Sequence, residues 1–238
     1  FLSLMDELDP FAITCRDQPT YELLRNCCPR VHRGIDAAFF LSKLFKTYET
    51  PDLGPYSCLC FDHTNEPMIS LSKNSFTSES VQIPLTKEIL NETLNITPIR
   101  ISKKLRPIIE RFRSHSERLL GRLIIRPQHG LIDVSALQIF CKPNTFISEQ
   151  AMPYVNLYAG ADFTISDRVH SCVATLSFGS PARLITSSGR AALFDRVNLS
   201  DVRQQFVTLD MDLLEFEYRN YMQFLERLLT DLKNENAY

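Results

Sequence analysis

Residues 161–181 constrain the fold more than any other part of the sequence, because they predict a buried strand that leads directly into a helix. Residues 163–166 have the apolar character of a buried strand. Asp167 is placed to act as the N-cap of the helix, and Gly179 before Pro181 predicts its end through a left-handed residue. A strand followed by a helix in this way is the repeating unit of a parallel α/β sheet.

Arg168 and His170 fall in the first turn of this predicted helix. The first N–H groups of a helix have no partner within the helix, and they carry a partial positive charge. An arginine and a histidine beside them make a site that suits a phosphate or a carboxylate. We therefore predict an anion pocket with a titratable group, in which the backbone from Val169 to Ser171 contacts the anion.

The rest of the sequence alternates strand-like and helix-like segments. We predict strands at 11–14, 31–41 (ending in a turn or short helix), 56–61, 122–126, 163–166 and 182–186, and helices at 19–26, 105–120, 147–159 and 212–233. Strands separated by helices predict a parallel sheet with crossover connections. The helix at 105–120 has one apolar face, and His115 lies among its charged residues, so we expect His115 to be exposed.

Polar residues after the predicted strands are candidates for a binding cleft, because ligands of parallel α/β sheets bind beyond the carboxyl ends of the strands. This rule selects Asp62, His63, His129, Arg168 and His170. Each of them also has a structural explanation, from a surface ion pair of Arg168 with Asp162 or Asp195 to an ordinary polar strand end. The sequence leaves both explanations open for each residue.

Composition, charge and missing motifs argue against several classes of function. A hydrophobic content of 44% with 23% charged residues is typical of a globular protein, and no apolar run reaches the roughly 20 residues of a bilayer helix. A net charge of -2 with scattered basic residues argues against nucleic-acid binding. The sequence lacks the Gly-x-Ser-x-Gly, Walker A and Gly-x-Gly-x-x-Gly motifs, so it predicts neither serine-nucleophile chemistry nor nucleotide hydrolysis, and we expect no cofactor.

The seven cysteines favour reduced, buried thiols over disulfides or metal ligands. Four of them lie in apolar surroundings, where cysteine behaves as a small hydrophobic residue: Cys58, Cys60, Cys141 and Cys172. The pairs Cys27-Cys28 and Cys58-x-Cys60 lack the spacing of zinc ligands. We therefore predict no metal site.

Two ordered stretches resemble the polysaccharide pyruvyl transferase family. Residues 162–181 are similar to that family's strand followed by S/D-R-L/V-H and A/S-x-G-x-P. Residues 13–24 and 34–41 are similar to its R-D-x-x-S/T-x-x-L-L and D-P-A-F-x-L elements. The sequence departs from the family pattern at Ala37, where Pro is usual, and at Asp62-His63, where we expect an Arg near the end of a strand.

The resemblance implies transfer of a pyruvyl group from phosphoenolpyruvate to two hydroxyls of a sugar in a polysaccharide or glycan precursor, which forms a ketal and releases phosphate. Arg168, with Arg16 as a helper, would bind the phosphate and carboxylate of the donor. His170 would transfer the proton, because histidine titrates near neutrality, and His129 is the second candidate for that role. The other predicted substrate-binding residues are Asp62, His63 and Ser171.

The resemblance also implies parallel-sheet Rossmann-like domains in a GT-B-like two-domain architecture. The turn-rich run at residues 50–55 predicts the boundary, with the remaining part of the first domain at 1–50 and the second domain at 51–238. We expect the second domain to contain a long polar loop at about 65–84 and a C-terminal helix that packs across the domain junction. Because the chain opens at Phe1 without a Gly-rich loop, we expect the N-terminal part of the first domain to be missing from this chain.

Two other function classes stay open. A GT-B-type glycosyltransferase would use a nucleotide-sugar donor, whose diphosphate also suits a helix N-terminus. A non-catalytic homologue would keep the fold to bind glycans, and the missing Arg near Asp62 keeps this class open. The partners in these classes are a small-molecule donor, a sugar or glycan acceptor, or both.

Three glycosylation sequons, at Asn91, Asn95 and Asn198, bear on the compartment. We expect a cytoplasmic protein, or one in the Golgi lumen if its source is eukaryotic. Membrane association is expected only through a lipid-linked acceptor or through a missing N-terminal segment.

Overall fold

Strands and helices alternate across residues 2–47, 54–72, 84–99, 115–129 and 142–235, which the computed structural model describes. The strands are β1 (Ile13–Cys15), β2 (Val31–Arg33), β3 (Tyr56–Cys60), β4 (Met68–Leu71), β5 (Leu94–Thr97), β6 (Arg118–Leu119), β7 (Arg122–Gln128), β8 (Thr145–Ile147), β9 (Thr164–Ser166) and β10 (Ala182–Leu184). The α-helices are α1 (Leu2–Leu8), α2 (Gln18–Leu24), α3 (Leu41–Leu44), α4 (Lys87–Thr93), α5 (Ala151–Ala159), α6 (Val169–Ser177) and α7 (Met211–Glu235). Short 3₁₀ helices cover Ala37–Phe40, Gly189–Val197 and Ser200–Arg203.

A largely parallel sheet with the strand order β10-β9-β3-β7-β6 organises the described part of the chain, and β8 pairs with the end of β7. Strands β3, β7, β8, β9 and β10 run parallel, whereas β6 forms an antiparallel hairpin with β7. The chain first adds β7 and β8 on one side of β3, and then crosses over to add β9 and β10 on the other. The prediction of a mixed α/β fold with a parallel sheet is confirmed.

Because successive strands are added first on one side of β3 and then on the other, a topological switch point lies between β3 and β9. Ligands of open parallel sheets bind in the crevice outside the carboxyl ends of the strands at such a point. The loops that follow Cys60 of β3 and Ser166 of β9 lie on either side of it, because the two residues are paired in register. The topology therefore directs attention to these two loops.

A separate parallel pair, β1 and β2, is connected through α2. Asp17 caps α2, since its carboxylate accepts a hydrogen bond from the Thr20 N–H at 2.9 Å, and Pro19 lies in the first turn. These are the usual start signals of a helix. The strand, helix and strand predicted between residues 11 and 41 are confirmed as a βαβ unit.

Apolar side chains cover both faces of the central sheet. Every residue of β3 is buried, as expected of a parallel strand with helices on both sides. Cys58 packs in one group with Leu157 of α5, and Leu59 packs in another with Leu90 of α4. Since alternate residues of a strand point to opposite faces, these groups lie on the two sides of the sheet.

The predicted C-terminal helix is confirmed as α7, and it packs against residues from the N-terminal part of the chain. Phe40 contacts the rings of Tyr218 and Tyr221, with centroids 5.3 and 5.7 Å away. His32 stacks on Phe224 at 4.7 Å. Helix α7, near the C-terminus, therefore packs against side chains from the N-terminal part of the sequence. None of the helices in the described ranges is both long and apolar enough to cross a membrane.

The helix predicted at 105–120 is wrong in the part that the structure describes. Residues 115–117 are not helical, and Arg118–Leu119 form β6 of a tight hairpin. Leu120 and Gly121 both have positive φ, 52° and 76°, which suits a two-residue hairpin turn. Residues 100–114 lie outside the described residues. His115 is not exposed, because its side chain is 2% accessible and faces Glu66.

Two further boundaries differ from the prediction. The polar loop predicted at about 65–84 contains β4, which pairs antiparallel with β5, and residues 73–83 lie outside the described residues. The helix predicted at 147–159 begins only at Ala151, because Thr145–Ile147 pair with the end of β7. The predicted domain boundary at 50–55 falls largely on residues 48–53, which also lie outside.

Candidate active site

The carboxylate of Asp62 contacts two other predicted site residues at the carboxyl edge of the sheet. Asp62 follows β3, Arg168 follows β9 and His129 follows β7. Arg168 Nη1 donates to Asp62 Oδ2 at 2.8 Å, and His129 Nδ1 lies 3.1 Å from the same oxygen. We call these three residues the Asp62 cluster. Arg168 thus pairs with Asp62 and not with Asp162, which binds Arg122 instead.

Both ring nitrogens of His129 have partners inside the protein. Nδ1 faces Asp62, and Nε2 lies 3.1 Å from the hydroxyl of Tyr158, which is buried. Tyr154 stacks on the His129 ring with centroids 4.4 Å apart. An ionised carboxylate only accepts hydrogen bonds, so Nδ1 carries a proton and, in the neutral ring, Tyr158 donates to Nε2. The ring of His129 is therefore held in one orientation and one tautomer.

The electrostatics of this cluster favour an ionised Asp62. Burial raises the pKa of Asp62, but the hydrogen bond and charge of His129 and the charge of Arg168 outweigh burial and lower it. The neighbouring thiol of Cys60 behaves in the opposite way. Burial raises the pKa of Cys60 to about 12, and the nearby Asp62 charge adds to the effect. Cys60 is therefore a neutral thiol at physiological pH.

Cys60, Asp62 and His129 are also the residues that offer a metal ion the right kinds of ligand atom within the described part of the chain. Their ligand atoms lie within 4.8 Å of one another. However, the guanidinium of Arg168 already occupies Asp62 Oδ2 at 2.8 Å, and a metal ion would compete with this fixed positive charge for the same oxygen. The contacts fit a hydrogen-bonded network better than a metal site.

Asp167 is not the N-cap of α6, contrary to the prediction. Its buried carboxylate accepts hydrogen bonds from the backbone N–H groups of Asp62, His63 and Thr64, at distances between 2.5 and 3.2 Å. Three donors in the loop after β3 outcompete the helix for this side chain. Arg168 occupies the N-cap position without a side-chain cap. Asp167 therefore fixes the loop that carries Asp62.

Helix α6 exposes few of its side chains. All of its residues except His170 are buried, and its end at Gly179, with φ of 88°, confirms the predicted left-handed termination. The side chain of His170 is 54% exposed, and that of the preceding Arg168 is 34% exposed. Two basic side chains thus reach solvent beside the first N–H groups of the helix, which have no acceptor within it.

A second carboxylate, Asp36, joins His170 to Arg16. Asp36 lies after β2 and caps the 3₁₀ helix Ala37–Phe40, with its Oδ1 accepting from the Ala38 N–H at 3.0 Å. Arg16 Nη1 donates to Oδ2 at 3.0 Å, and His170 Nε2 lies 3.5 Å from Oδ2. We call these residues the Asp36 cluster. It connects the βαβ unit at the N-terminus to the start of α6.

The Asp36 carboxylate is ionised over the whole physiological range. Burial raises its pKa, but hydrogen bonds from His170 and the Ala38 N–H, with the charges of His170 and Arg16, lower the pKa to about 2. Asp36 is thus a fixed negative charge beside a half-exposed imidazole. Sequence reasoning did not select Asp36, although it lies within the second stretch that resembles the family.

Two predicted site residues, Ser171 and His63, belong to neither the Asp62 nor the Asp36 cluster. The side chain of Ser171 is buried, and its hydroxyl points to Cys60 Sγ at 3.7 Å, so only its backbone N–H remains at the helix N-terminus. His63 is exposed, and its backbone N–H donates to Asp167. No side-chain partner of His63 is found within the described ranges.

A third carboxylate, Glu66, forms a cluster closed to solvent. Arg126 donates to both oxygens of Glu66, at 2.9 and 3.0 Å, while Lys142 and His115 lie 3.7 and 3.6 Å away. Burial raises the pKa of Glu66, but hydrogen bonds from His115 and Arg126 and nearby positive charge bring it well below its usual range. We call these four residues the Glu66 cluster. The side chains of Arg126 and Glu66 are 1% and 7% exposed, so both charges are buried.

Comparison with known proteins identifies a family for this chain. The family model described as polysaccharide pyruvyl transferase matches residues 4–189, well over half of the 238 residues. The matched range contains every residue of the Asp62 and Asp36 clusters. No curated protein and no solved structure matches the chain.

Proposed function

Since the chain belongs to the polysaccharide pyruvyl transferase family, we propose that it transfers a pyruvyl group from phosphoenolpyruvate to sugar hydroxyls of a polysaccharide or glycan precursor. The observation that carries the proposal is the start of α6, where Arg168 and His170 reach solvent on an otherwise buried helix. The site combines a fixed cation, helix N–H groups and an imidazole. Those are the groups that an anionic donor and a proton transfer require.

The donor carries a phosphate and a carboxylate, and Arg168 is the residue we assign to bind them. A guanidinium binds either anion through two parallel hydrogen bonds, and the N–H groups from Val169 to Ser171 add further donors. Asp62 and His129 orient the guanidinium from one side. Arg16 lies in the Asp36 cluster and is 49% exposed, so it can add a second cation to the same anion.

The reaction needs a group that both gives and accepts protons. The CH₂ carbon of phosphoenolpyruvate gains a proton, one sugar hydroxyl adds to the neighbouring carbon, and a second hydroxyl displaces phosphate to close the ketal. Of the two hydroxyl protons, one balances the proton gained by carbon and the other leaves with the phosphate. His170 is suited to this exchange, because an imidazole can both give and accept a proton and this side chain is half-exposed.

His129 is the second candidate for proton transfer, and its geometry favours a different role. Its two ring nitrogens face Asp62 and Tyr158. A substrate would have to displace one of these partners to reach the ring. We therefore assign His129 to holding Asp62, and through it Arg168, in place.

We further propose that residues 51–238 form a Rossmann-like domain and that residues 1–50 belong to another, in a GT-B-like arrangement. Counted along the chain from β3, the parallel strands of the central sheet are ordered 3-2-1-4-5, which is the order of doubly wound nucleotide-binding sheets. The separate β1-α2-β2 unit is the support for a second parallel-sheet domain.

A comparison of the two kinds of donor tests the proposed function. The protein is incubated with a panel of glycosides and either phosphoenolpyruvate or nucleotide sugars, and released phosphate and nucleoside diphosphate are measured together with the mass of the glycoside. We expect phosphate release with phosphoenolpyruvate and a glycoside that gains one pyruvyl ketal, and we expect H170Q to form both products at least about 10²-fold more slowly. Nucleoside diphosphate release would instead establish the glycosyltransferase, and glycan binding without any turnover would establish a non-catalytic homologue.

A further inference from the structure

The environment of Asp36 assigns it a role in the chemistry that neither the sequence nor the family match identifies. Its two carboxylate oxygens have different partners. Oδ1 accepts from the Ala38 N–H at 3.0 Å, whereas Oδ2 faces both Arg16 and His170. The first contact is a helix cap and fixes the side chain. The second presents a fixed acceptor to the imidazole.

We propose that Asp36 is a positioning residue that sets the tautomer and orientation of His170, an inference that rests on the proposed function of His170 in proton transfer. An ionised carboxylate accepts hydrogen bonds and donates none, so His170 Nε2, 3.5 Å from Oδ2, carries a proton. In the neutral ring Nδ1 then has the lone pair. Nδ1 is the nitrogen that accepts a proton from the sugar hydroxyl and passes one to the donor carbon.

This arrangement follows the general logic of a base whose second nitrogen is oriented by a third group. The carboxylate stabilises positive charge on the ring at the moment when Nδ1 becomes protonated, and it does so without exchanging the proton itself. Arg16 shares Oδ2 at 3.0 Å and keeps the carboxylate from rotating away from His170. The positioning residue comes from the βαβ unit, whereas His170 comes from α6, so the proton-transfer group depends on both parts of the fold.

D36N tests this role, and it also removes the oxygen that accepts a hydrogen bond from Arg16. Asparagine is as good an N-cap as aspartate, so the 3₁₀ helix keeps its start. The Ala38 N–H requires an oxygen at the Oδ1 position, which places the asparagine NH₂ where Oδ2 was. That NH₂ donates to His170 Nε2, and the ring proton must move to Nδ1. We expect kcat to fall by about 10²-fold to 10⁴-fold, with the KM for phosphoenolpyruvate near the wild-type value because Arg168 still binds the donor.

D231N is the matched control. Asp231 forms an ion pair with Arg30 at 3.0 Å, the same distance as Arg16 from Asp36, but on α7 and away from His170. The control therefore removes one Arg–Asp pair without touching the proposed site. We expect D231N to keep the wild-type kcat and KM. D36S keeps a capping side chain without a group that reaches His170, and it replaces D36N if that variant does not fold.

Nitrogen-15 NMR of the His170 ring, assigned by comparison with H170Q, decides the proposal without reference to turnover. We expect the Nε2–H tautomer in the wild type and in D231N, and the Nδ1–H tautomer in D36N. An Nδ1–H tautomer in the wild type, or a D36N variant with unchanged tautomer and unchanged kcat, would overturn the role of Asp36. If the wild type shows no turnover with phosphoenolpyruvate, the proposed function fails, but the tautomer comparison still decides whether Asp36 positions His170.

Discussion

The Asp62 and Glu66 clusters contain the same kinds of side chain and differ in their access to solvent. In each, a carboxylate binds an arginine at 2.8 to 3.0 Å and faces a histidine. Arg126 of the Glu66 cluster is 1% exposed, whereas Arg168 of the Asp62 cluster is 34% exposed. The two clusters therefore have similar residue types, and they differ in how far their arginine reaches solvent.

The positions of the two clusters explain this difference. Arg168 follows β9 and starts a helix, so its side chain lies at the carboxyl edge where ligands of parallel sheets bind. Arg126 lies within β7, and it donates to the backbone oxygens of Ser116 and Pro143 as well as to Glu66. The Glu66 cluster thus ties together three loops. We expect changes there to alter stability, and changes around Asp62 and Asp36 to alter turnover.

The largest expected effect is on stability in the Glu66 cluster. E66A leaves Arg126 and Lys142 buried without their carboxylate, and we expect the free energy of unfolding to fall by about 3 to 5 kcal/mol. R168A removes a partly exposed partner, and we expect a loss of about 1 kcal/mol or less. Urea denaturation of both variants measures the difference. Equal losses would show that the Asp62 cluster is also a structural ion cluster.

Replacement of His170 or His115 by glutamine should affect kcat differently in the two clusters. H170Q removes the proposed proton-transfer group, and we expect kcat to fall by about 10²-fold to 10⁴-fold while the KM for phosphoenolpyruvate changes little. H115Q, in the Glu66 cluster, is expected to lower stability and to leave kcat per folded molecule unchanged. Steady-state kinetics with phosphate detection gives both values. If H129Q lowers kcat as much as H170Q does, proton transfer is shared between the two histidines.

The pH dependence of stability tests the ionised state of Asp36. Its folded pKa of about 2 lies below the ordinary value of 3.8, so its contribution is fully present above about pH 4 and is lost as the pH falls through 2. We expect D36N to be less stable than the wild type near neutral pH by at most about 2 kcal/mol. This difference should shrink between pH 4 and pH 2. A difference that stays constant over this window would mean that the Asp36 charge does not contribute.

The smallest expected effect is that of replacing an arginine by lysine, which keeps the charge but changes the shape of the cation. R168K keeps the charge but loses the planar fork, so the affinity for phosphoenolpyruvate should fall about tenfold, or 1.4 kcal/mol. R126K should instead lower the free energy of unfolding, because lysine cannot bind both oxygens of Glu66. Isothermal titration calorimetry measures the first effect and urea denaturation the second. Donor affinity that falls in R126K but not in R168K would reverse the assignment of the two clusters.

Much of the fold could be predicted from the sequence, because its strands and helices carry local signals. The apolar run before Asp167 and the Gly179-x-Pro181 ending marked β9 and α6, and the apolar spacing of the C-terminal residues marked α7. The β6–β7 hairpin was missed, since its two-residue turn has Leu120 and not Asn or Asp at a position with positive φ. A leucine there looks like part of an amphipathic helix.

The candidate site could be predicted only where residues follow strands or begin a helix. The rule for strand ends selected Asp62, His129 and Arg168, which the structure brings together. Asp36 and Tyr158 were missed because their roles depend on contacts across the fold: Asp36 meets His170 at 3.5 Å, and Tyr158 meets His129 at 3.1 Å. Such contacts leave no local pattern in a single sequence.

A crystal structure with phosphoenolpyruvate, or with phosphate, is the most direct test of the proposed anion site at the start of α6. We predict an anion oxygen within about 3 Å of the N–H groups between Val169 and Ser171 and of the Arg168 guanidinium, with the His170 Nδ1 atom on the side of the donor's CH₂ carbon. An anion bound only elsewhere on the protein, with Arg168 still engaged solely by Asp62, would contradict the assignment of this helix start as the donor site.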